Sequence, residues 1–395
     1  MARQANPIPL DPSRAFRQPR PTWDGTPIRP TVATIDLDAL ASNYRQLTAF
    51  ARADVLAVVK ADAYGHGAVR CARVLEREGA KFLGVALTEE GLELREAGIR
   101  SPILVLGGAY GGRFDLLVGH DLTPVVFRPE HLEALAAAAR ALGRAPVAHL
   151  KLDTGMGRIG VQPADLPAFL DAAASHGVIL EGLATHFANA DLADSALTQK
   201  QIERATAAAE LMRGRGMQLR WLHLANSAAT VARPEAHGTL VRPGIMLYGE
   251  MPSPRFTGRI SLRPVLRWTT AITHLKRVAE GTPISYGSKW TARRPSLVAT
   301  LPVGYADGYL RALTNVGEVL VRGRRVQVAG TVCMDQMMID VTDVPDVAVD
   351  DEVVLLGRQG DQTIGAEELA AKAGTIHYEV FCGIGPRVPR VHVGG

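Results

Sequence analysis

The chain has 395 residues, more than one hydrophobic core usually organises, so two domains are expected. Hydrophobic residues make up 47% and charged residues 21%, a balance that excludes disordered, collagenous and membrane-spanning classes. The net charge of +4 comes from 44 basic residues scattered among 40 acidic ones, without the concentrated stripe of a nucleic-acid binder, and no membrane partner is expected.

The first thirty residues hold seven Pro and five Arg but no continuous apolar run of the kind a secretory signal needs. Residues 1–31 are therefore expected to form a mobile tail. Cys71, Cys333 and Cys382 are widely spaced and contain no CxxC pair, which argues against a disulfide framework or a structural zinc site. The expected compartment is the cytoplasm.

From about residue 33 short apolar runs alternate with helix-compatible stretches, the pattern of parallel strands covered by helices. Eight candidate strands follow in order: VLAVV before Lys60, FLGVAL to Leu87, ILVL to Leu106, LTPVVF to Phe127, VAHLKL to Leu152, ILEGLAT to Thr185, LRWLHL to Leu224 and TLVR to Arg242. Helices are expected at GLELREAG, at PEHLEALAAAARALG, at ADLPAFLDAAASHG and from Ser195 to Gly214. The fold class is α/β. Residues 32–255 read as a (β/α)8 barrel, with a doubly wound open sheet as the alternative. Beyond residue 255 β-branched alternation takes over, as in LRWTTAITHLKRV and RRVQVAGTVCMDQMMIDV, so residues 256–395 read as a smaller, mainly antiparallel β domain. Arg322, Arg324 and Arg325 in that domain read as a solvated hairpin turn.

An active site of a parallel barrel lies at the C-terminal ends of its strands, and polar residues gather there. Lys60 follows the first strand, Asp153 and Arg158 the fifth, His186 the sixth, Asn226 and Ser227 the seventh, and Arg242 closes the eighth. An amine delivered by an apolar strand into a partly dry pocket loses its proton more easily and can form a Schiff base; a lysine that only marks the end of a buried strand is the plain alternative. Tyr64 in the following glycine-rich turn can reach an anion, and Ser227 with the Arg242-Pro243-Gly244-Ile245 turn offers a hydroxyl and backbone N–H groups to a phosphate. GMGRIG at 155–160 has the GxGxxG spacing after the fifth strand, but the helix expected next starts only at Ala164, and there is no GxxxxGK[ST], so nucleotide readings lack their full signature. His66, His223 and His377 share no metal-ligand spacing, and no metal is expected.

AVVKADAYGHG resembles the cofactor-lysine motif of alanine racemases, and KLDTGMGRIG, THFANAD, HLANSAA, VRPGIMLYG, ISYGSKWTA, PVGYADGY, VCMDQMMIDV and TIHYEV resemble that family's other signatures in the same order, over residues 32 to 391. The resemblance implies a barrel that binds pyridoxal 5'-phosphate, a β domain that supplies the second catalytic base, and a head-to-tail homodimer with shared active sites. It implies that Lys60 holds the cofactor, that Tyr64, Ser227, Gly244, Ile245 and Tyr378 contact its phosphate, and that Arg242 faces the pyridine nitrogen with His186 near the ring. Arg158 and Met334 would contact substrate, Met334 from the partner chain, and Tyr305 would line the entrance with Tyr378. Lys151 stands where family members often carry a carbamylated lysine that orients Arg158; a plain lysine paired with Asp153 is the alternative.

Inverting a Cα centre needs an acid/base group on each face, and one lysine does not easily serve both. The resemblance assigns Lys60 to D-alanine deprotonation and Tyr286, from the other subunit, to L-alanine deprotonation, with positive neighbours assisting the phenol. A permanently charged Arg242 does not protonate a pyridine nitrogen as a carboxylic acid would, so the ring becomes a weaker electron sink and side reactions are limited. The expected function is interconversion of L- and D-alanine, supplying D-alanine for peptidoglycan. A broad-specificity amino-acid racemase or a related barrel-type decarboxylase is the alternative.

Overall fold

The computed structural model describes residues 26, 28–51, 53–192 and 195–395. Nearly all of the expected tail lies outside the described residues. The first strand, β1 (Val32–Asp36), is followed by a helix over Leu37–Ala51 and then by eight parallel strands. These are β2 (Asp54–Val58), β3 (Phe82–Val85), β4 (Ile103–Val105), β5 (Leu122–Val126), β6 (Val147–Lys151), β7 (Ile179–Ala184), β8 (Trp221–His223) and β9 (Leu240–Val241). Each coincides with an apolar run expected to be a strand.

The sheet runs β8-β7-β6-β5-β4-β3-β2-β9, and a parallel bridge between Asn226 and Arg242 draws its two ends together into a nearly closed barrel. Closure buries the strands on both faces, which is why they are almost uninterrupted Val, Leu and Ala: Leu56, Leu83, Leu104, Val125, Leu150 and Leu183 have no exposed surface. The covering helices are set by local signals. Ser195 caps Ala196–Gly214 by accepting the Thr198 N–H at 3.0 Å, and Pro129 opens Pro129–Ala141.

The expected polar turn after Lys60 is a left-handed turn, with Ala61, Asp62, Ala63 and Tyr64 at φ of +52 to +55°. For L-residues this conformation costs roughly 1–2 kcal/mol each. It is held by Ala61 N–H on the Glu90 carboxylate (2.6 Å), Ala68 N–H on Asp62 (2.6 Å) and Gly67 N–H on the Asp62 carbonyl (3.0 Å). The strain thus sits beside Lys60, where rigid surroundings fix it.

The second sheet is mainly antiparallel, in the order Arg324–Gln327, Glu318–Val321, Glu352–Gln359, Leu266–Ala271, β1 and Arg390–Val393, with Gln362–Ile364 paired to Glu352–Gln359. The strand β1 was not foreseen: it pairs antiparallel with Leu266–Ala271 and parallel with Arg390–Val393, so it joins the two ends of the chain in one sheet. A smaller sheet of His274–Val278, Ser296–Leu301 and Met337–Asp340 lies beside it in the sequence. The arginine-rich segment is the expected hairpin, its Arg322-Gly323 turn at φ of +50 and +74°. Arg325 is occupied by Glu318 and Glu368.

Candidate active site

A cavity of about 610 Å³ opens at the C-terminal ends of the barrel strands, and Lys60, Tyr64, Lys151, Arg158, His186, Ser227, Arg242, Gly244 and Tyr378 all line it. Lys60 stands two residues past the end of β2, after Val59. Burial, and then the Arg158 charge, hold its amine below the ordinary lysine range, which makes the neutral, nucleophilic form more accessible. The phenol of Tyr64 stands 5.0 Å (ring centroids) from Tyr248 and 6.1 Å from Tyr378.

Opposite, the bridge between Asn226 and Arg242 brings two loops together. The Gly244 N–H donates to Ser227 Oγ at 2.9 Å, and Asn226 caps the Ser227–Ala232 helix by accepting the Ala229 N–H at 3.0 Å. A side chain at 244 is excluded, because a Cβ there would lie 2.3 Å from the Tyr64 hydroxyl. The result is a pocket of hydroxyls and backbone amides suited to a phosphate. Ile245 is wholly buried behind Gly244, and its side chain does not line the cavity.

Arg242 is buried across the cavity. Its guanidinium donates to the carbonyls of Thr185 (2.6 Å), His223 and Leu224 (3.3 Å), and lies 3.4 Å from His186 Nδ1. Burial, followed by the Arg158 charge, lowers Arg242 to about 10, so it remains charged at neutral pH. His186 is held well below the ordinary histidine range by burial and by the Arg242 charge, and is therefore neutral.

Lys151, at the end of β6, is the most strongly perturbed amine here: burial, then Arg242 and Arg158, push it well below the ordinary lysine range. Asp153 is not its ion-pair partner. The Asp153 carboxylate instead accepts N–H bonds from Gly155 (3.0 Å), Met156 (2.9 Å) and Gly157 (3.1 Å), which shape the loop carrying Arg158.

Tyr286, Tyr305 and Met334 do not reach this cavity within one chain. They line a second cavity of about 510 Å³ in the β domain, with Tyr286 74% and Met334 52% exposed. Two short strands, Pro283–Ile284 and Trp290–Thr291, present Tyr286 on a turn in which Ser285 and Ser288 have positive φ. Gly304 allows the Tyr305 loop to abut the Met334 loop, as shown by Tyr305 N–H on the Cys333 carbonyl and Ala306 N–H on the Met334 carbonyl, both 3.0 Å.

Comparison with known proteins decides the family. The alanine racemase N-terminal domain matches residues 35–252, and the alanine racemase C-terminal domain matches residues 265–392. The chain belongs to the alanine racemase family. It is 47% identical over 365 residues to the alanine racemase of Halothermothrix orenii, covering 92% of this chain and 96% of that one. It is 48% identical over 372 residues to that of Geobacter sulfurreducens, covering 92% and 97%. Among solved structures, alanine racemase from D-cycloserine-producing Streptomyces lavendulae superposes with a TM-score of 0.89 at 40% identity, covering 94% of this chain and 98% of that one. Alanine racemase from Bacillus anthracis with bound L-Ala-P gives 0.86 at 36% identity, covering 93% and 96%. The racemase is thus an isomerase, and its reaction is the racemisation of alanine.

Several residues around the racemase cavity escaped sequence reasoning. Met156, Asp191 and Ile376 also line it from loops whose course no periodicity reveals, and His377 and Cys382 line it from the short helix His377–Gly383. His66 is structural: its ring stacks 4.5 Å from Tyr248, and its Nδ1 lies 3.0 and 2.9 Å from the carbonyls of Ala63 and Tyr64. Among the described residues no group of three His, Cys, Asp or Glu could hold a metal ion, and no helix is long and apolar enough to cross a membrane.

Proposed function

We propose that this racemase carries pyridoxal 5'-phosphate on Lys60 and interconverts L- and D-alanine with two bases, Lys60 and the Tyr286 of a second copy of the chain. The observation that carries the reading is the donor set of the large cavity: a half-buried amine of lowered pKa, an anion cradle between Tyr64, Ser227 and Gly244, and a buried guanidinium at Arg242. Those groups fit a phosphorylated, aldehyde-bearing pyridine. Tyr64, Ser227 and Tyr378, with the backbone N–H groups of Gly244 and Ile245, would take the phosphate, Arg242 the pyridine nitrogen, and His186 would pack near the ring. When bound, the cofactor supplies an electron sink that acidifies the Cα proton of alanine.

The chain's residues do the rest. The Lys60 amine, whose pKa burial and the Arg158 charge lower from the ordinary lysine value, moves a proton on one face of Cα. The Tyr286 hydroxyl moves it on the other, so that Lys60 deprotonates D-alanine and Tyr286 deprotonates L-alanine. Arg158 and Met334 hold the substrate, and Tyr305 with Tyr378 borders the entrance.

The exposure of Tyr286 and Met334 supports a homodimer. Tyr286, Met334 and Tyr305, with Arg311 and Asp335, line an exposed cavity of mixed polarity on the β domain, and covering it with the barrel mouth of a second copy would bury the exposed Tyr286 and Met334 and complete both sites. Lys151 is proposed to be carbamylated: its amine is neutral enough to react with carbon dioxide, and the resulting anion would lie among Arg158 and Arg242. The enzyme would act in the cytoplasm and supply D-alanine for peptidoglycan. Incubation of the purified protein with L-alanine or D-alanine, with and without added pyridoxal 5'-phosphate, tests the reading. Approach to the same racemic mixture from both sides supports it; release of carbon dioxide and an amine would replace it by a decarboxylase.

A further inference from the structure

A line of buried polar groups crosses the barrel interior behind Arg242. The Arg242 guanidinium lies 3.3 Å from His223 Nδ1, His223 Nε2 lies 2.9 Å from His149 Nδ1, and His149 Nε2 lies 3.5 Å from the Glu181 carboxylate. Both imidazoles have no exposed surface, whereas the Glu181 side chain is 24% exposed. The line therefore runs from the floor of the active-site cavity to solvent.

Its direction is determined by chemistry. A guanidinium has only donors, so the His223 nitrogen that faces it must be a lone pair. The single proton of neutral His223 then sits on Nε2 and is donated to His149 Nδ1. His149 must accept there, so its own proton sits on Nε2 and points at Glu181. Burial favours the neutral form of both rings.

The fold makes room for this arrangement at a specific irregularity. Pairing between β6 and β7 shifts at Ala148/His149: Ala148 faces Leu180 and His149 faces Gly182, so Glu181 is the extra residue of a bulge. At Gly182 a Cβ would lie 2.5 Å from Cγ and Nδ1 of His149, so only glycine leaves space for the ring. Phe82 contacts the same ring edge-on at 5.7 Å.

We propose that Glu181 is a positioning residue that acts through His149 and His223 on Arg242, fixing both imidazole tautomers so that the guanidinium meets a lone pair and keeps its orientation toward the cofactor ring. The inference rests on the reading of Arg242 given under Proposed function. Arg242 at one end and the Glu181 carboxylate at the other favour the same pair of tautomers; without the carboxylate the buried Nε2–H of His149 loses the one acceptor that faces it, and that pair loses half of its support. The alternative tautomers, with the proton on Nδ1 of both rings, reverse donor and acceptor along the line without moving either ring and present an N–H to Arg242, a repulsive contact in a dry site.

The test uses the holoenzyme with Glu181→Gln, which keeps an acceptor oxygen, and Glu181→Leu, which removes it. Glu181→Leu should lower kcat about tenfold or more with KM for alanine nearly unchanged, and Glu181→Gln should fall between it and the wild type. Nitrogen-15 NMR of the histidines should show Nε2–H tautomers at His149 and His223 in the wild type and mixed tautomers in Glu181→Leu. A wild type with Nδ1–H at either ring overturns the proposal, even if the variants fail to fold. So does a pair of variants that lose only thermal stability while kcat and the tautomers stay as in the wild type. Failure of the wild type itself to bind pyridoxal 5'-phosphate or racemise alanine would instead sink the reading on which the inference rests.

Discussion

The phenol of Tyr64 occupies the space that a side chain at Gly244 would need, since a Cβ there would lie 2.3 Å from the Tyr64 hydroxyl. Tyr64 is 7% exposed and packed against Tyr248, so it has little room to retreat. Gly244→Ala should therefore push the hydroxyl out of the anion cradle. The expected result is cofactor affinity weakened about tenfold, equivalent to one lost hydrogen bond to a charged group of roughly 1.5 kcal/mol. Titration of the apoenzyme with pyridoxal 5'-phosphate measures it, and unchanged affinity would remove Gly244 from the cradle.

Acid should destabilise the fold through His66. Burial depresses this ring to about 4, against an ordinary value of 6.5, with hydrogen bonds to Tyr64 and Ala63 opposing only in part. Because the folded pKa is the lower one, the unfolded chain binds the proton first. Stability present above pH 6.5 is lost as pH falls from there toward 4, by about 3 kcal/mol from this group. Urea unfolding at pH 7 and pH 4.5 of the wild type and His66→Gln tests this: the variant, although less stable overall, should lose less between the two pH values. Equal losses would assign the acid sensitivity to other groups.

Lys151 should react with carbon dioxide. Its amine is held well below the ordinary lysine range by burial and by two arginines, so the neutral form is available near neutral pH. Intact mass measured gently from bicarbonate-containing buffer should exceed the mass from degassed acidic buffer by one carbon dioxide, and Lys151→Ala should abolish the difference. The same variant should raise KM for alanine more than it lowers kcat, because the added charge is expected to orient Arg158. No mass difference in the wild type would leave Lys151 a plain buried amine.

The barrel was legible because parallel strands buried on both faces are continuous apolar runs, such as VLAVV and FLGV, and each of the eight could be read separately. The strand β1 was not, since VATID is short and its partners lie more than two hundred residues away at Leu266–Ala271 and at Arg390–Val393. Lys60, His186 and Arg242 could be found because they end strands. What brings Ser227 to Gly244, 17 residues apart in the chain, is the bridge between Asn226 and Arg242, which no local pattern announces. Sequence proximity also suggested a pairing of Lys151 with Asp153, whereas the Asp153 carboxylate is taken by the backbone of its own loop. The Glu181 bulge was invisible for a similar reason: a one-residue register shift exists only once β6 and β7 are paired.

The central claim is that each active site combines the Lys60 of one subunit with the Tyr286 of another. Lys60→Ala and Tyr286→Phe should each lower activity by about 10²–10⁴-fold when assayed alone, as expected for loss of an acid/base group. The decisive measurement mixes the two inactive variants under conditions that exchange subunits. Half of the dimers should then be hybrids holding one intact site of two, so activity should return to about one quarter of the wild type. A mixture that stays as inactive as its two components, while size measurements show hybrid dimers have formed, would contradict the shared site.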